Sequence, residues 1–226
     1  MRGGISIDLP EGLSREDRDR LRAELDTLPE GAILRPEDAF AHTPSFVAMA
    51  HLLRGVDLIH LFDGYYTPVI ETTYLRRPPA RRAVLAAYSE MTGAVVKPAG
   101  AYAAWCVGLA ATEPACGWRY LTDGPTRVIA FLPEPMSLAA APPWLLGDTP
   151  ADDILRALHE ASERETEAYK ARFHADRLLD QADLERLAGR ARDLRAAAAD
   201  HDDPKSMLAG RIDALLAPEA PLVAEQ

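Results

Sequence analysis

The sequence predicts an α+β fold: an N-terminal winged helix-turn-helix over residues 1–75, an Arg/Pro-rich connection and linking helix over 76–93, and a mixed, mainly helical C-terminal domain over 94–226. Three observations carry this expectation. Three helix signatures lead into two β-rich runs joined by Asp63-Gly64. The double proline Pro78-Pro79, set among Arg76, Arg77, Arg81 and Arg82, then interrupts regular structure. Short apolar runs alternate with turns from 94 to 134, and helical periodicity follows.

The first helix is announced by Ser14, a capping residue placed before Arg15-Glu16-Asp17. Leu21, Leu25 and Leu28 recur on one helical face, and Pro29-Glu30-Gly31 stops it. Arg35-Pro36-Glu37-Asp38 opens a second short helix, with proline in the tolerated first turn. Thr43 and Pro44 start a third, whose apolar positions Phe46, Val47, Ala50 and Leu53 run to Gly55. Leu58–Phe62 and Tyr65–Val69 flank Asp63-Gly64, a strong short-range hairpin signal.

Beyond the prolines, 82–91 reads as a helix. A small, partly β layer is expected over 94–134, and a proline-rich loop over 135–150 anchored by Trp144-Leu145-Leu146. Thr149 or Asp148 caps the next helical stretch, which carries Ile154, Leu155, Leu158, Tyr169 and Phe173. Leu184, Leu187, Ala191 and Leu194 mark another helix, and Met207, Leu208, Ile212 and Leu215 a last short one. The tail from Pro218 is expected to be loose.

A chain of 226 residues, 48% of them hydrophobic, has the material for a sizeable core. No apolar run approaches the roughly 20 residues that span a bilayer. The N-terminus shows no apolar signal core, so a cytoplasmic protein without membrane contact is expected. Cys106 and Cys116 read as reduced core residues. Net charge is −10: residues 1–90 hold 11 Lys and Arg against 14 Asp and Glu, and the remainder is more acidic. Neither half is a basic nucleic-acid-binding domain by gross charge.

No catalytic residue, metal site or cofactor is expected. The six histidines are scattered, and Cys106 and Cys116 lack a neighbouring histidine. There is no phosphate loop or nucleophile elbow. His159 and Glu163, four apart, form at most a helix-surface pair. If the third helix enters a major groove, Ser45, Ala48, Met49, His51 and Leu52 face bases, while Thr43 and Arg54 face the backbone. Arg35 and the Arg76, Arg77, Arg81 and Arg82 cluster supply further phosphate contacts. Asp57 and Asp63 on the hairpin oppose phosphate.

Three pieces stand together between Leu21 and Ile129: Leu28-Pro29-Glu30-Gly31-Ala32-Ile33-Leu34; Arg54-Gly55-Val56 with Asp63-Gly64-Tyr65-Tyr66; and Pro98-Ala99-Gly100-x-Tyr102-Ala103-Ala104 with Gly108-Leu109 and Tyr120-Leu121-Thr122-Asp123-Gly124-Pro125-Thr126-Arg127. On these residues the chain bears a resemblance to the AbiEi-like antitoxin family, the antitoxin and transcriptional-regulator half of type IV toxin–antitoxin pairs. The resemblance implies a winged helix-turn-helix that binds the promoter DNA of its own operon. It also implies a C-terminal domain that counters a nucleotidyltransferase-like toxin encoded next door, with no catalysis and no cofactor. Where the family's helix-to-wing region is rich in Arg and Lys, this chain reads Gly55-Val56-Asp57-Leu58-Ile59-His60-Leu61-Phe62, and Trp105 replaces the asparagine usual there. The alternative expectation is an interaction protein that neutralises such a toxin by direct binding without binding DNA. A homodimer is compatible with either.

Overall fold

A computed structural model describes residue 9 and residues 11–71, 75–130 and 134–218. About half of the described residues are helical and the sheets are small, so the fold is mixed α+β. The chain divides into two compact units, Met1–Ala94 with Val128–Pro135, and Val95–Arg127 with Met136–Gln226.

In the first unit, α1 (Arg15–Asp26) begins with a reciprocal capping box. Ser14 Oγ accepts from the Asp17 amide at 3.1 Å, and Asp17 Oδ2 accepts from the Ser14 amide at 3.0 Å. Leu21 and Leu25 are buried, whereas Leu28 lies past the helix end and is exposed. A single turn, α2 (Pro36–Ala39), precedes α3 (Pro44–Leu52). Thr43 occupies the expected N-cap position, yet its side chain makes no capping bond. Phe46, Met49, Ala50 and Leu53 close the core on Leu21, Leu25, Leu34, Leu58 and Tyr66.

Strands β1 (Leu58–Phe62) and β2 (Tyr65–Pro68) pair antiparallel as the sequence predicts. Asp63 and Gly64 turn the chain with φ of 42° and 80°. Positive φ at both turn positions matches the twist of a two-residue hairpin. Leu34 bridges Tyr66 by reciprocal backbone hydrogen bonds of 2.9 and 2.8 Å, which adds a minimal third strand beside β2.

The stretch expected as an interdomain connection belongs to the first unit. β3 (Ile70–Glu71) pairs with β4 (Arg76–Arg77), and α4 (Arg81–Thr92) follows. Glu30 Oε1 accepts from the Ala80 amide at 2.8 Å and from Arg77 Nη1 at 3.2 Å, placing a carboxylate at the start of α4. Negative charge there offsets the exposed helix amides. The Glu30-Gly31 turn therefore receives α4 instead of merely ending α1. The chain returns to this unit at Val128, within β7 (Arg127–Ile129), and the Ala130 amide donates to the Leu61 carbonyl at 2.8 Å.

The second unit is built from β5 (Val96–Pro98), α5 (Gly100–Cys106), β6 (Arg119–Thr122), β8 (Met136–Ala140), α6 (Pro150–His159), α7 (Glu163–Asp176), α8 (Gln181–Ala197) and α9 (Pro204–Leu216). β6 is antiparallel to β5, with Lys97 opposite Leu121, and parallel to β8, with Tyr120 opposite Leu138. The expected loop over 135–150 thus contains a strand and a 3-10 turn, Pro143–Leu145. Thr149 caps α6 and Ser162 caps α7, each through a capping box. His159 and Glu163 sit on different helices, because α6 ends at His159, so the expected helix-surface pair does not exist.

Leu109, Leu145, Ile154, Leu155, Leu158, Leu187, Leu208, Ile212 and Leu215 fill the core of this unit. Met207, expected in it, is exposed. Arg156 is 1% exposed; its Nη1 donates to the carbonyls of Leu145 (2.9 Å) and Gly147 (2.8 Å), and its Nη2 pairs with Asp153. This buried guanidinium pins the loop before α6. Both cysteines are free and exposed, which corrects the core placement read from their apolar surroundings. The expectation about the tail past Pro218 falls outside the described residues.

Candidate nucleic-acid interface

The outward face of α3 carries few charges. Phe46, Met49 and Ala50 point into the core, which leaves Ser45, Ala48 and His51 one turn apart toward the outside. Met49 is fully buried, so its expected role at base edges is withdrawn. The helical period alone explains this: Phe46, Met49 and Leu53 form one stripe, and the intervening positions face away.

Arg35, on the N-cap of α2, and His51, in the last turn of α3, are brought together by Glu37. His51 Nε2 lies 3.1 Å from Glu37 Oε1, and Arg35 Nε lies 3.6 Å from Glu37 Oε2. The Glu37 carboxyl is held below its usual range, first by its own backbone amide at the start of α2 and then by the His51 and Arg35 charges. His51 also stands edge-on to Tyr66 at 6.4 Å, and Arg35 Nε lies 4.0 Å from where a Cβ on Gly64 would project. Helix α3, the start of α2 and the hairpin turn therefore converge on one exposed acid flanked by two nitrogen bases. Nothing in the local spacing signals this, since Glu37 reads as an ordinary first-turn acid.

Asp57 does not behave as a wing acid. It is 6% exposed, and Arg22 grips it through two hydrogen bonds of 2.8 Å. Its charge is compensated inside the unit, which leaves Asp63 as the exposed acid of the hairpin. The hairpin is consequently less repulsive toward phosphate than residue counting implies.

The remaining expected cations divide. Arg54 is exposed and makes no side-chain hydrogen bond or ion pair among the described residues. Its backbone bridges Leu58, so it stands where α3 passes into the hairpin. Arg77 is engaged by Glu30 at 3.2 Å, Arg81 is half-buried, and Arg82 is exposed within electrostatic reach of Glu30. Arg76 takes its place in β4 opposite Glu71. Thr43 and Ser45 are half-buried at the start of α3.

In the second unit the Pro98-Ala99-Gly100 stretch forms the corner between β5 and α5. Gly100 has φ of 53°, and a Cβ there would come within 2.9 Å of Glu160 Oε2, so the position suits glycine. Glu160 in turn pairs with Arg119 at 3.1 Å. Tyr102 contacts Trp105, Trp118 and Tyr120 with ring centroids 4.6–5.7 Å apart. In the following turn, Asp123 Oδ1 accepts from the Val95 amide at 2.8 Å and Thr122 Oγ1 from the Gly124 amide at 3.0 Å. These residues organise backbone; they do not converge as a reacting centre.

Among the described residues, no three or more His, Cys, Asp or Glu side chains are grouped to hold a metal ion, and no helix is long and apolar enough to cross a membrane. No protein-family model, curated protein or solved structure matches the chain.

Proposed function

We propose that this protein is a DNA-binding antitoxin of the type IV toxin–antitoxin class, which represses its own operon through an N-terminal winged helix-turn-helix and counters a nucleotidyltransferase-like toxin through its second unit. One observation carries the DNA-binding half. The outward face of α3 is followed directly by a hairpin, and Leu34 pairs with Tyr66 at that hairpin's return strand. A helix, a minimal strand at Leu34, two further helices and a hairpin, in that order, support a reading in which α3 lies in a major groove and the hairpin acts as a wing. Arg54 and Arg35 then supply phosphate contacts at either side of it, and the compensation of Asp57 by Arg22 removes one source of repulsion. The antitoxin half rests on the sequence resemblance, whose residues shape the β5–α5 corner and the turn after β6.

A second reading, toxin neutralisation by direct binding without operator recognition, is favoured by the occupation of Arg35 and His51 by Glu37 and of Arg77 by Glu30. Co-expression with the neighbouring toxin gene decides the shared part of both readings. Growth is restored by the full chain if either holds, and toxicity that persists at equal expression contradicts both. A promoter–reporter fusion separates them, since only the first reading lowers its output.

A further inference from the structure

The second unit contains a cleft of about 480 Å³ where α7 ends, α8 begins and α9 closes. Phe173, Leu178, Leu179, Leu184 and Leu216 supply apolar walls. A volume of this order is the size of a small-ligand site. Its polar lining is His174, Arg177 and Gln181. His174 Nε2–H donates to the Ala217 carbonyl at 3.0 Å, and Gln181 donates to Glu185 at 2.9 Å, so both have partners. Arg177 has none: it lines the cleft as an exposed residue, without a side-chain hydrogen bond or ion pair among the described residues.

Two further facts single out Arg177. The chain leaves α7 through it in the left-handed region, at φ 46° and ψ 53°, a conformation that glycine adopts most readily. A long cationic side chain is thus held at a strained corner, and such strain concentrates at ligand sites. The acids on either side are also committed elsewhere. Asp176 pairs with Arg172 at 3.4 Å, and Asp180 caps α8 by accepting from the Asp183 amide at 2.8 Å. Arg177 therefore lines a leucine-walled cleft with its donor fork unengaged among the described residues. A planar fork of this kind matches a carboxylate through two parallel hydrogen bonds.

We propose that this cleft binds a small aliphatic carboxylate, with its chain against Leu178, Leu179, Leu184 and Leu216 and its head group on Arg177. The cleft belongs to the second unit, and the proposal does not rest on the DNA-binding reading.

Isothermal titration of the full-length protein with decanoate, and with decanol as the uncharged control, tests this. The wild type is expected to bind one equivalent of decanoate saturably and at least about tenfold more tightly than decanol, a preference set by the charged head. Arg177→Gly, which suits the backbone, is expected to melt no lower than the wild type and to bind the two probes alike. Arg177→Asn, also tolerant of that backbone, replaces it if glycine loosens the helix end. Leu216→Trp fills the cleft and is expected to abolish binding of both. Absence of saturable decanoate binding by the wild type, an unchanged preference in the Arg177 variants, or unchanged affinity in Leu216→Trp would each overturn the proposal.

Discussion

Arg22 and Asp57 meet through a two-point ion pair, Nε to Oδ2 and Nη2 to Oδ1, each at 2.8 Å, which ties α1 to the root of the hairpin. Asp57 is buried and Arg22 is 29% exposed, so the pair sits at the edge of the core with its charges largely withdrawn from water. Its backbone carbonyl also accepts from the Val69 amide at 2.9 Å, so the same residue organises the start and the end of the hairpin. Removing Arg22 takes two charge-assisted hydrogen bonds from a buried carboxylate. Arg22→Ala is expected to destabilise the first unit by about 2–4 kcal/mol, because Asp57 is left without its fork. Arg22→Lys, which keeps the charge and loses the second hydrogen bond, is expected to recover part of that loss. Urea denaturation of the three proteins measures the order.

Gly31 and Gly55 have nearly the same backbone, with φ of 81° and 78°, but different surroundings. A Cβ on Gly31 would stand 2.5 Å from the Ala83 carbonyl carbon and 2.7 Å from Ala83 Cβ, both parts of α4. A Cβ on Gly55 meets nothing within 4 Å. Gly55→Ala is therefore expected to cost about 1 kcal/mol from the left-handed backbone alone. Gly31→Ala must also displace α4 and is expected to cost at least about 3 kcal/mol. Equal losses in thermal melts would show that α4 does not press on the Glu30-Gly31 turn.

Acid sensitivity follows from the caps. Asp17 is held below its usual range first by the Ser14 hydroxyl, and Glu165 by the Ser162 amide and then its hydroxyl. Both carboxyls have lower values folded than unfolded, so their contribution is complete above the ordinary carboxylate range near pH 4. It is lost as pH falls through the depressed folded values. The contribution of these two caps is accordingly expected to be flat from neutral pH down to that range and then to decline. His159, whose pKa burial lowers, is expected to cost stability as pH falls through the free-histidine value of 6.5. Ser162→Ala is expected to move the Glu165 titration upward in a carbon-detected NMR experiment. An unmoved value would contradict the capping box at α7.

Much of this architecture is written locally. Ser14, the Asp63-Gly64 turn, the Leu187–Ala191–Leu194 stripe and Thr149 all act within a few residues of themselves, and each does in the fold what its spacing predicts. What spacing does not carry is long-range pairing. Arg22 and Asp57 are 35 residues apart, Glu30 and Ala80 are 50 apart, and neither partner advertises the other. The same limit hid Glu37 between Arg35 and His51, and it made the Arg/Pro stretch read as a free connection. Cys106 misled for a different reason, since it ends a short helix whose Ala103 and Ala104 side is the buried one.

Glu37 pairs with Arg35, an expected phosphate contact, and with His51, so its removal has a defined sign under the DNA-binding reading. Glu37→Gln frees Arg35 and His51 and deletes a negative charge from the α3 side. Duplex affinity is expected to rise about three- to tenfold at low salt, with a smaller gain at high salt. A fall in affinity would mean that Glu37 positions these residues for DNA instead of opposing it.

Fluorescence anisotropy with the operon's upstream duplex, titrated at several salt concentrations, tests the central claim most directly. The full chain is expected to bind that duplex more tightly than a scrambled one, and log affinity is expected to fall linearly with log salt concentration. Arg54→Glu is expected to weaken both duplexes about equally, since a phosphate contact carries no sequence information. No binding at low salt, or unchanged affinity in Arg54→Glu, would contradict an α3-and-hairpin interface with DNA.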